Sequence, residues 1–381
     1  MNNFTFHNPT KIIFGKDTHL EVGAELKAYG VKKALLLYGA GSIKRSGLYD
    51  TTVKSLNDAG IEFVEFDGVV SNPVISHTRE AVKVAKESHV DAVLSVGGGS
   101  VLDEAKAVAA AALVEHDVWD FFTGTVITQS LPIFSILTLA ATGSEMNGNS
   151  VITNDATEQK FSFTSPHAYP KISILNPELT FSVDSAYTAF GSVDAIAHVV
   201  EGYFTQSSGA LFQDRLTENI IKSVIESTDI IMQKPHDYDA RAQMMWSATM
   251  ALNGLPVNGL KDVSFPNHMI EHALSAIYNI AHGAGLAIVI PAWMQWYKEQ
   301  KPERFCRFAQ EVFGLEEEMD GIIALKEWFK AIGAPVSLSE VNIPQSDIPK
   351  IVANAFEMAK MSGLDSLYTE DEMTKILQLA I

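Results

Sequence analysis

What most restricts the fold of this 381-residue chain is the rhythm of residues 1–180, where short β-rich runs alternate with helical stretches. Ala34-Leu-Leu-Leu-Tyr38 reads as a buried strand, followed by Gly39-Ala-Gly-Ser42 and a helical stretch reaching Ala59. Ile61 to Phe66 is the next strand, Ser71-Asn-Pro73 a turn, and Thr78 to Ser88 an amphipathic helix. Asp91 to Val96 is again a strand, Gly97-Gly-Gly-Ser100 a turn, Val101 to Val114 an Ala-rich helix, and Ile133 to Leu139 a further strand. Strands separated by helices of about 10 to 15 residues imply βαβ crossovers and a mostly parallel sheet. Such a sheet receives its ligand at the carboxyl ends of its strands.

From about Leu179 long helical patterns take over: Ala186 to Phe204, Leu211 to Met232, Ala240 to Leu252, Val263 to Tyr278, Pro302 to Phe313, Gly321 to Ile332, Pro349 to Ala359 and Glu370 to Leu379. Gly254-Leu-Pro256 and Gly333-Ala-Pro335 punctuate them. A single core stops growing near ~250 to 300 residues, so two domains are expected. They are an α/β nucleotide-binding domain over residues 1–180 and an all-α domain over residues 181–381.

Charge narrows the partners. Lys and Arg number 28 against 46 Asp and Glu, a net −18 that repels nucleic acid and anionic membranes. No apolar run approaches the ~18 to 20 residues of a spanning helix, and the N-terminus shows neither a basic region nor an apolar core of a secretory signal. The single cysteine, Cys306, excludes an internal disulfide and fits a cytoplasmic setting. A small soluble substrate is the remaining class.

Three regions carry chemistry. Gly97-Gly-Gly-Ser100 lies between a strand and a helix, where backbone N–H groups cradle phosphate, and Asp103 and Lys106 follow on the helix. No GxGxxG fingerprint is present, so a nucleotide site unlike the usual dinucleotide one is expected. At the end of the first strand a dinucleotide enzyme handles the adenosine ribose, and an acidic residue there repels a 2′-phosphate. Here Gly39 stands at that point with Ser42, Lys44 and Arg45 close by, which favours NADP(H) over NAD(H). Asp194 and His198 are four apart, the spacing of a shared helix face, and read either as metal ligands or as a helix-internal ion pair. His268, Glu271, His272 and His282 form the third region. His268 and His272 share a face, and His282 follows where Asn279 and Gly283 signal a loop. H-x-x-E-H over residues 268–272 is also the signature of a zinc hydrolase with Glu271 as base.

With these motifs in place the chain resembles the iron-containing (group III) alcohol dehydrogenase family, in its NADPH-dependent aldehyde reductase or butanol dehydrogenase branch. The likeness spans the Phe4 to Gly15 opening, Asn72-Pro73, Gly97-Gly-Gly-Ser100 with Asp103 and Lys106, Leu137 to Glu145, Asn176-Pro-Glu-Leu-Thr180, Asp194 to His198 and His268 to His282. It implies a dehydroquinate synthase-like architecture and an oxidoreductase transferring hydride between NADP(H) and a primary alcohol or aldehyde. It further implies one divalent metal, Fe(II) or Zn(II), on Asp194, His198, His268 and His282. His272 becomes a non-ligand histidine beside the substrate, a candidate proton relay. Implied coenzyme contacts are Gly39, Ser42, Asn72, Gly98, Gly99, Ser100, Asp103, Thr138, Thr142 and Lys160. A homodimer is implied as well. Two other classes compete: the zinc hydrolase, and a nucleotide-binding regulatory protein with a vestigial site.

Overall fold

Uninterrupted apolar runs become strands covered on both faces. The computed structural model describes residues 1–207 and 209–381. Lys11–Phe14 (β1), Lys33–Gly39 (β2), Glu62–Val69 (β3), Ala92–Gly97 (β4), Ile133–Leu137 (β5) and Ile172–Leu175 (β8) form one sheet in the order β1-β8-β5-β4-β2-β3. Every pairing in it is parallel. Between β5 and β8 the chain makes an antiparallel hairpin, Asn149–Asn154 (β6) and Gln159–Thr164 (β7), which the βα rhythm did not foretell. Alternate residues of β2 face opposite layers. Leu36 and Tyr38 pack with Leu94, Phe134, Val22 and Leu56, under Val22–Tyr29 (α1) and Leu48–Ala59 (α3), which follows the single turn Ser42–Arg45 (α2). Leu35 and Leu37 pack with Val93, Ala81, Leu102 and Ala105, under Ile75–Glu87 (α4) and Gly99–Ala111 (α5). Each such leucine contributes roughly 1.5–3 kcal/mol by leaving water.

Strand order decides where this unit binds ligands. The chain passes from β2 outward to β3, then back across β2 to β4. Connections therefore leave β2 and β4 in opposite directions, and the crevice beyond their carboxyl ends is the switch point of a doubly wound sheet. Gly39 ends β2 and Gly97 ends β4.

The remaining helices are Ser185–Thr205 (α6), Leu211–Gln233 (α7), Tyr238–Ala251 (α8), Pro266–Tyr278 (α9), His282–Tyr297 (α10), Pro302–Phe308 (α11), Glu318–Ala331 (α12), Ile348–Ser362 (α13) and Glu370–Gln378 (α14). Helix α10 corrects the expectation of a loop at His282, which is instead its first residue. Gly283 sits in a helix for want of room: a Cβ on it would fall 2.0 Å from the carbonyl oxygen of Phe190 on α6. No helix among the described residues is long and apolar enough to cross a membrane.

The compact units are discontinuous in sequence. One comprises His7–Val183 with His236–Met245, the other Met1–Phe6, Asp184–Pro235 and Trp246–Ile381, so a single cut at residue 180 misses two segments. His236–Met245 belongs with the sheet because Met245 joins Leu137 and Leu175 in a buried cluster and His236 stacks on Phe181 at 5.2 Å. Met1–Phe6 belongs with the helices, Asn2 donating through its backbone N and Nδ2 to the Gly259 carbonyl.

Helices α1 and α3 approach so closely that a Cβ on Gly23 would lie 2.0 Å from Ser55 O. Gly23→Ala is expected to lower stability by about 1–3 kcal/mol through overpacking. Urea unfolding measures it, and an unchanged midpoint would contradict this packing.

Candidate active site

Helix α6 carries Asp194, His198 and Glu201 on one stripe, with spacings of four and three residues. Burial of its flanks among Val193, Ile196, Val199 and Val200 holds that stripe inside the helical unit. Asp194 is 3% exposed. Its Oδ1 lies 3.6 Å from His198 Nε2, 3.8 Å from His268 Nε2 and 3.6 Å from His282 Nε2. These separations exceed hydrogen-bond length. Asp194 Oδ1 and His268 Nε2 are accordingly buried without a hydrogen-bond partner. Donor atoms held about 2.0–2.2 Å from one tetrahedral ion stand roughly 3.3–3.6 Å from one another, close to the separation of Asp194 Oδ1 from each of the three imidazoles.

Two further carboxylates stand behind this cluster. Glu201, fully buried, accepts through Oε2 from His268 Nδ1 and through Oε1 from the backbone N–H groups of Asn267 and His268, capping α9 while orienting the imidazole. Glu271, also fully buried, accepts from His282 Nδ1. Each contact directs the opposite ring nitrogen, Nε2, toward Asp194. Neither role was foreseen. An acid inside the apolar run Val199-Val-Glu-Gly-Tyr-Phe204, three residues after His198, was the available signal for Glu201. Glu271, the base in the hydrolase reading, is here committed to His282.

His272 follows His268 by one turn, its ring 5.6 Å from that of His282. Donor atoms of Glu271, His272 and His282 also lie within 4.8 Å of one another, as do those of Asp194, His268 and His282. The second set is the better cage, because His282 Nδ1 already serves Glu271 while its Nε2 faces Asp194.

Burial pushes Asp194 up, yet His198, His282 and His268 together hold it below the usual carboxylate range. Burial dominates at His198 and lowers it to about 3, leaving the ring neutral with one nitrogen lone pair to donate. Burial would also lower His268, but Glu201 and Asp194 override it and raise the ring to about 10.

In the sheet unit, Gly98 caps α5, and the first-turn N–H groups at Gly99 and Ser100 point out of the helix toward any bound anion. Gly99 is required by close approach, since a Cβ there would meet Thr142 Oγ1 at 2.4 Å. Thr138 follows β5 and donates its N–H to Gly97 O at 3.0 Å. Asn72, in a left-handed conformation at φ 54°, accepts from Lys160 Nζ at 2.9 Å, which brings those two expected residues together. Ser42 opens α2 just beyond Gly39, exposed alongside Lys44 and Arg45.

Asp103 and Lys106 take inward positions. Asp103 accepts from Ser144 Oγ at 2.6 Å and from Val151 N at 3.1 Å. Lys106, fully buried, donates to Ser144 O, Ser144 Oγ, Asn147 Oδ1 and Asn149 O. Burial raises Asp103 and lowers Lys106 to about 8. Both brace the loop that carries Thr142.

A glycine turn at a sheet switch point and a buried Asp/His cage are the marks of a protein that uses both a nucleotide and a metal. Residues 9–177 match the model of the iron-containing alcohol dehydrogenases, and residues 188–381 that of the Fe-containing alcohol dehydrogenase family, C-terminal. The chain is 41% identical over 383 residues to the probable NADH-dependent butanol dehydrogenase 1 of Bacillus subtilis (strain 168), covering 98% of each. It is 36% identical over 362 residues to the NADPH-dependent aldehyde reductase YqhD of Escherichia coli (strain K12), covering 92% of each. The crystal structure of NADH-dependent butanol dehydrogenase A from Thermotoga maritima matches with a TM-score of 0.97 and 48% identity, over 100% of this chain and 99% of that one. The chain therefore belongs to the iron-containing alcohol dehydrogenase family and is an oxidoreductase.

Glu271→Gln and Gly285→Ala attack one contact by different routes, since a Cβ on Gly285 would fall 2.7 Å from Glu271 Cγ and Oε1. Each is expected to weaken divalent-metal affinity about 10- to 100-fold in competition with a chelator. Unaltered affinity in both would remove Glu271 from the support of His282.

Proposed function

We propose that this oxidoreductase transfers hydride reversibly between NADP(H) and a primary alcohol or aldehyde, with Asp194, His198, His268 and His282 holding one Fe(II) or Zn(II). The observation that carries the reading is the convergence of three imidazole Nε2 atoms on Asp194 Oδ1 at 3.6–3.8 Å. When bound, the metal supplies a Lewis acid for the substrate oxygen and the nicotinamide supplies the hydride donor or acceptor. Imidazole and a single carboxylate suit iron and zinc alike.

The chain's own groups supply position and proton handling. Glu201 and Glu271 keep His268 and His282 in the tautomer whose Nε2 faces Asp194. His272, 6% exposed, holds or releases a proton beside the reacting oxygen. The N–H groups around Gly98, Gly99 and Ser100 receive the pyrophosphate, with Thr138, Thr142, Asn72 and Lys160 as further coenzyme contacts. The hydrolase alternative is not favoured, because Glu271 would have to leave His282 to act as a base.

NADP(H) preference rests on the absence of a carboxylate at Gly39 together with exposed Ser42, Lys44 and Arg45. Relatives do not decide it, the Bacillus and Thermotoga enzymes being named for NADH and that of Escherichia coli for NADPH. A cytoplasmic homodimer is the setting this reading carries.

The reaction is tested by following NADPH absorbance with butyraldehyde as substrate, alongside metal analysis. His272→Ala should lose about 10²-fold in turnover with metal content intact, whereas Asp194→Ala should lose the metal. Metal loss in the first variant, or retention in the second, would break the assignment. For the coenzyme, Gly39→Asp should lower the NADPH-to-NADH ratio of kcat/KM at least tenfold, and an unmoved ratio would refute the role given to Gly39.

A further inference from the structure

Outside the groups already described, Glu104, one turn beyond Ser100 on α5, is a fully buried carboxylate. Its Oε1 lies 2.7 Å from His77 Nδ1, and its Oε2 is buried with no hydrogen-bond partner. His77, on α4, places Nε2 2.9 Å from the carbonyl oxygen of Asp67 and packs its ring, tilted by 49°, against that of Phe66 with centroids 4.8 Å apart. A carbonyl oxygen only accepts, so Nε2 carries a hydrogen. Nδ1 then either donates a second hydrogen to the carboxylate or accepts one from a carboxylic acid. Both arrangements put one proton between Nδ1 and Oε1. Burial raises Glu104, and the Glu104 contact raises His77, so both shifts favour retention of that proton.

The pair joins the segment that leaves edge strand β3 to the helix that follows β4 at the switch point. Glu104 rides on the helix that opens at Gly98. Asp67 lies near the end of β3, where Val69 pairs with Gly39 and the chain runs on to Asn72. At Gly68, with φ +94°, a Cβ would lie 3.3 Å from His77 Nε2, so the imidazole sits flush against the strand exit. Pro73 O accepts from Thr153 N at 2.8 Å, and Asn72 is tied to Lys160. Those contacts hold the far end of the segment on the β6/β7 hairpin, while His77 and Glu104 hold its near end on α5.

We infer that His77 and Glu104 are positioning residues for the coenzyme, a proton-bridged pair that sets the Asp67–Asn72 segment against the glycine-turn helix. The inference rests on the reading of Asn72 and the glycine turn as coenzyme contacts. NADPH fluorescence titration gives the coenzyme Kd without turnover, and steady-state kinetics with butyraldehyde separate coenzyme KM from kcat. Glu104→Ala and the more exposed His77→Ala should each raise coenzyme Kd and KM about tenfold, leaving kcat and aldehyde KM within about twofold. Glu104→Gln should restore Kd to within about twofold, because its amide N–H can donate to Nδ1 of the neutral ring.

Unchanged coenzyme Kd in both alanine variants would overturn the inference. Equal losses in coenzyme KM, aldehyde KM and kcat would overturn it too, marking a merely structural role. So would a glutamine variant no better than alanine. Asn72→Ala separates the two levels of the argument: a raised Kd there beside an unchanged Kd in Glu104→Ala defeats the pair alone. Failure of the unaltered chain to bind NADPH defeats both the pair and the site reading beneath it.

Discussion

Burying charge is costly unless each charged group finds a partner, and the helical unit buries three carboxylates around one cluster of imidazoles. Asp194, Glu201 and Glu271 are 3%, 0% and 0% exposed. Their partners are imidazoles and backbone N–H groups, arranged so that every acid faces a ring nitrogen. The packing of α6, α9 and α10 follows from that requirement. Gly283 lets α10 touch the backbone of α6, and Gly285 makes room for Glu271. A divalent cation among the Asp194, His198, His268 and His282 atoms would supply positive charge beside Asp194 in place of the proton that His268 otherwise holds.

The sheet unit meets the same constraint differently. Asp103 and Lys106 are buried together on α5 and share Ser144, which donates to the acid and accepts from the amine. Their neutralised pair pins the loop of Thr142, Ser144 and Asn147 beneath the glycine turn. Glu104, the residue next to Asp103, repeats the device on another face of the helix, with His77 and a bridging proton. A helix opened by glycine, and so weakly held by its own side chains at that end, is thereby braced from within.

Much of this was legible in advance. The alternation of periods marked the parallel sheet, because a strand buried on both faces must be continuously apolar while a covering helix must not. The pairs Asp194/His198 and His268/His272 declared shared faces through their spacing. Other elements were hidden. The start of helix α10 at His282 was read as a loop because Asn279 and Gly283 signal one, a propensity that close packing of Gly283 against Phe190 overrides. The hairpin β6/β7 and the segment His236–Met245 depend on contacts distant in sequence, Thr153 with Pro73 and Met245 with Leu137. Periodicity carries no trace of either.

Sequence alone determined the class of this protein: two periods marked the architecture, and the ordered motifs from Phe4 to His282 carried the resemblance to the family. Tertiary structure decided what each residue does. His268 and His282 face Asp194 because Glu201 and Glu271 occupy their other nitrogens, and Asp103 and Lys106 turn inward because Ser144 lies between them. Spacing places a side chain on a face. Only the groups packed against that face determine which of its atoms is left to bind a ligand.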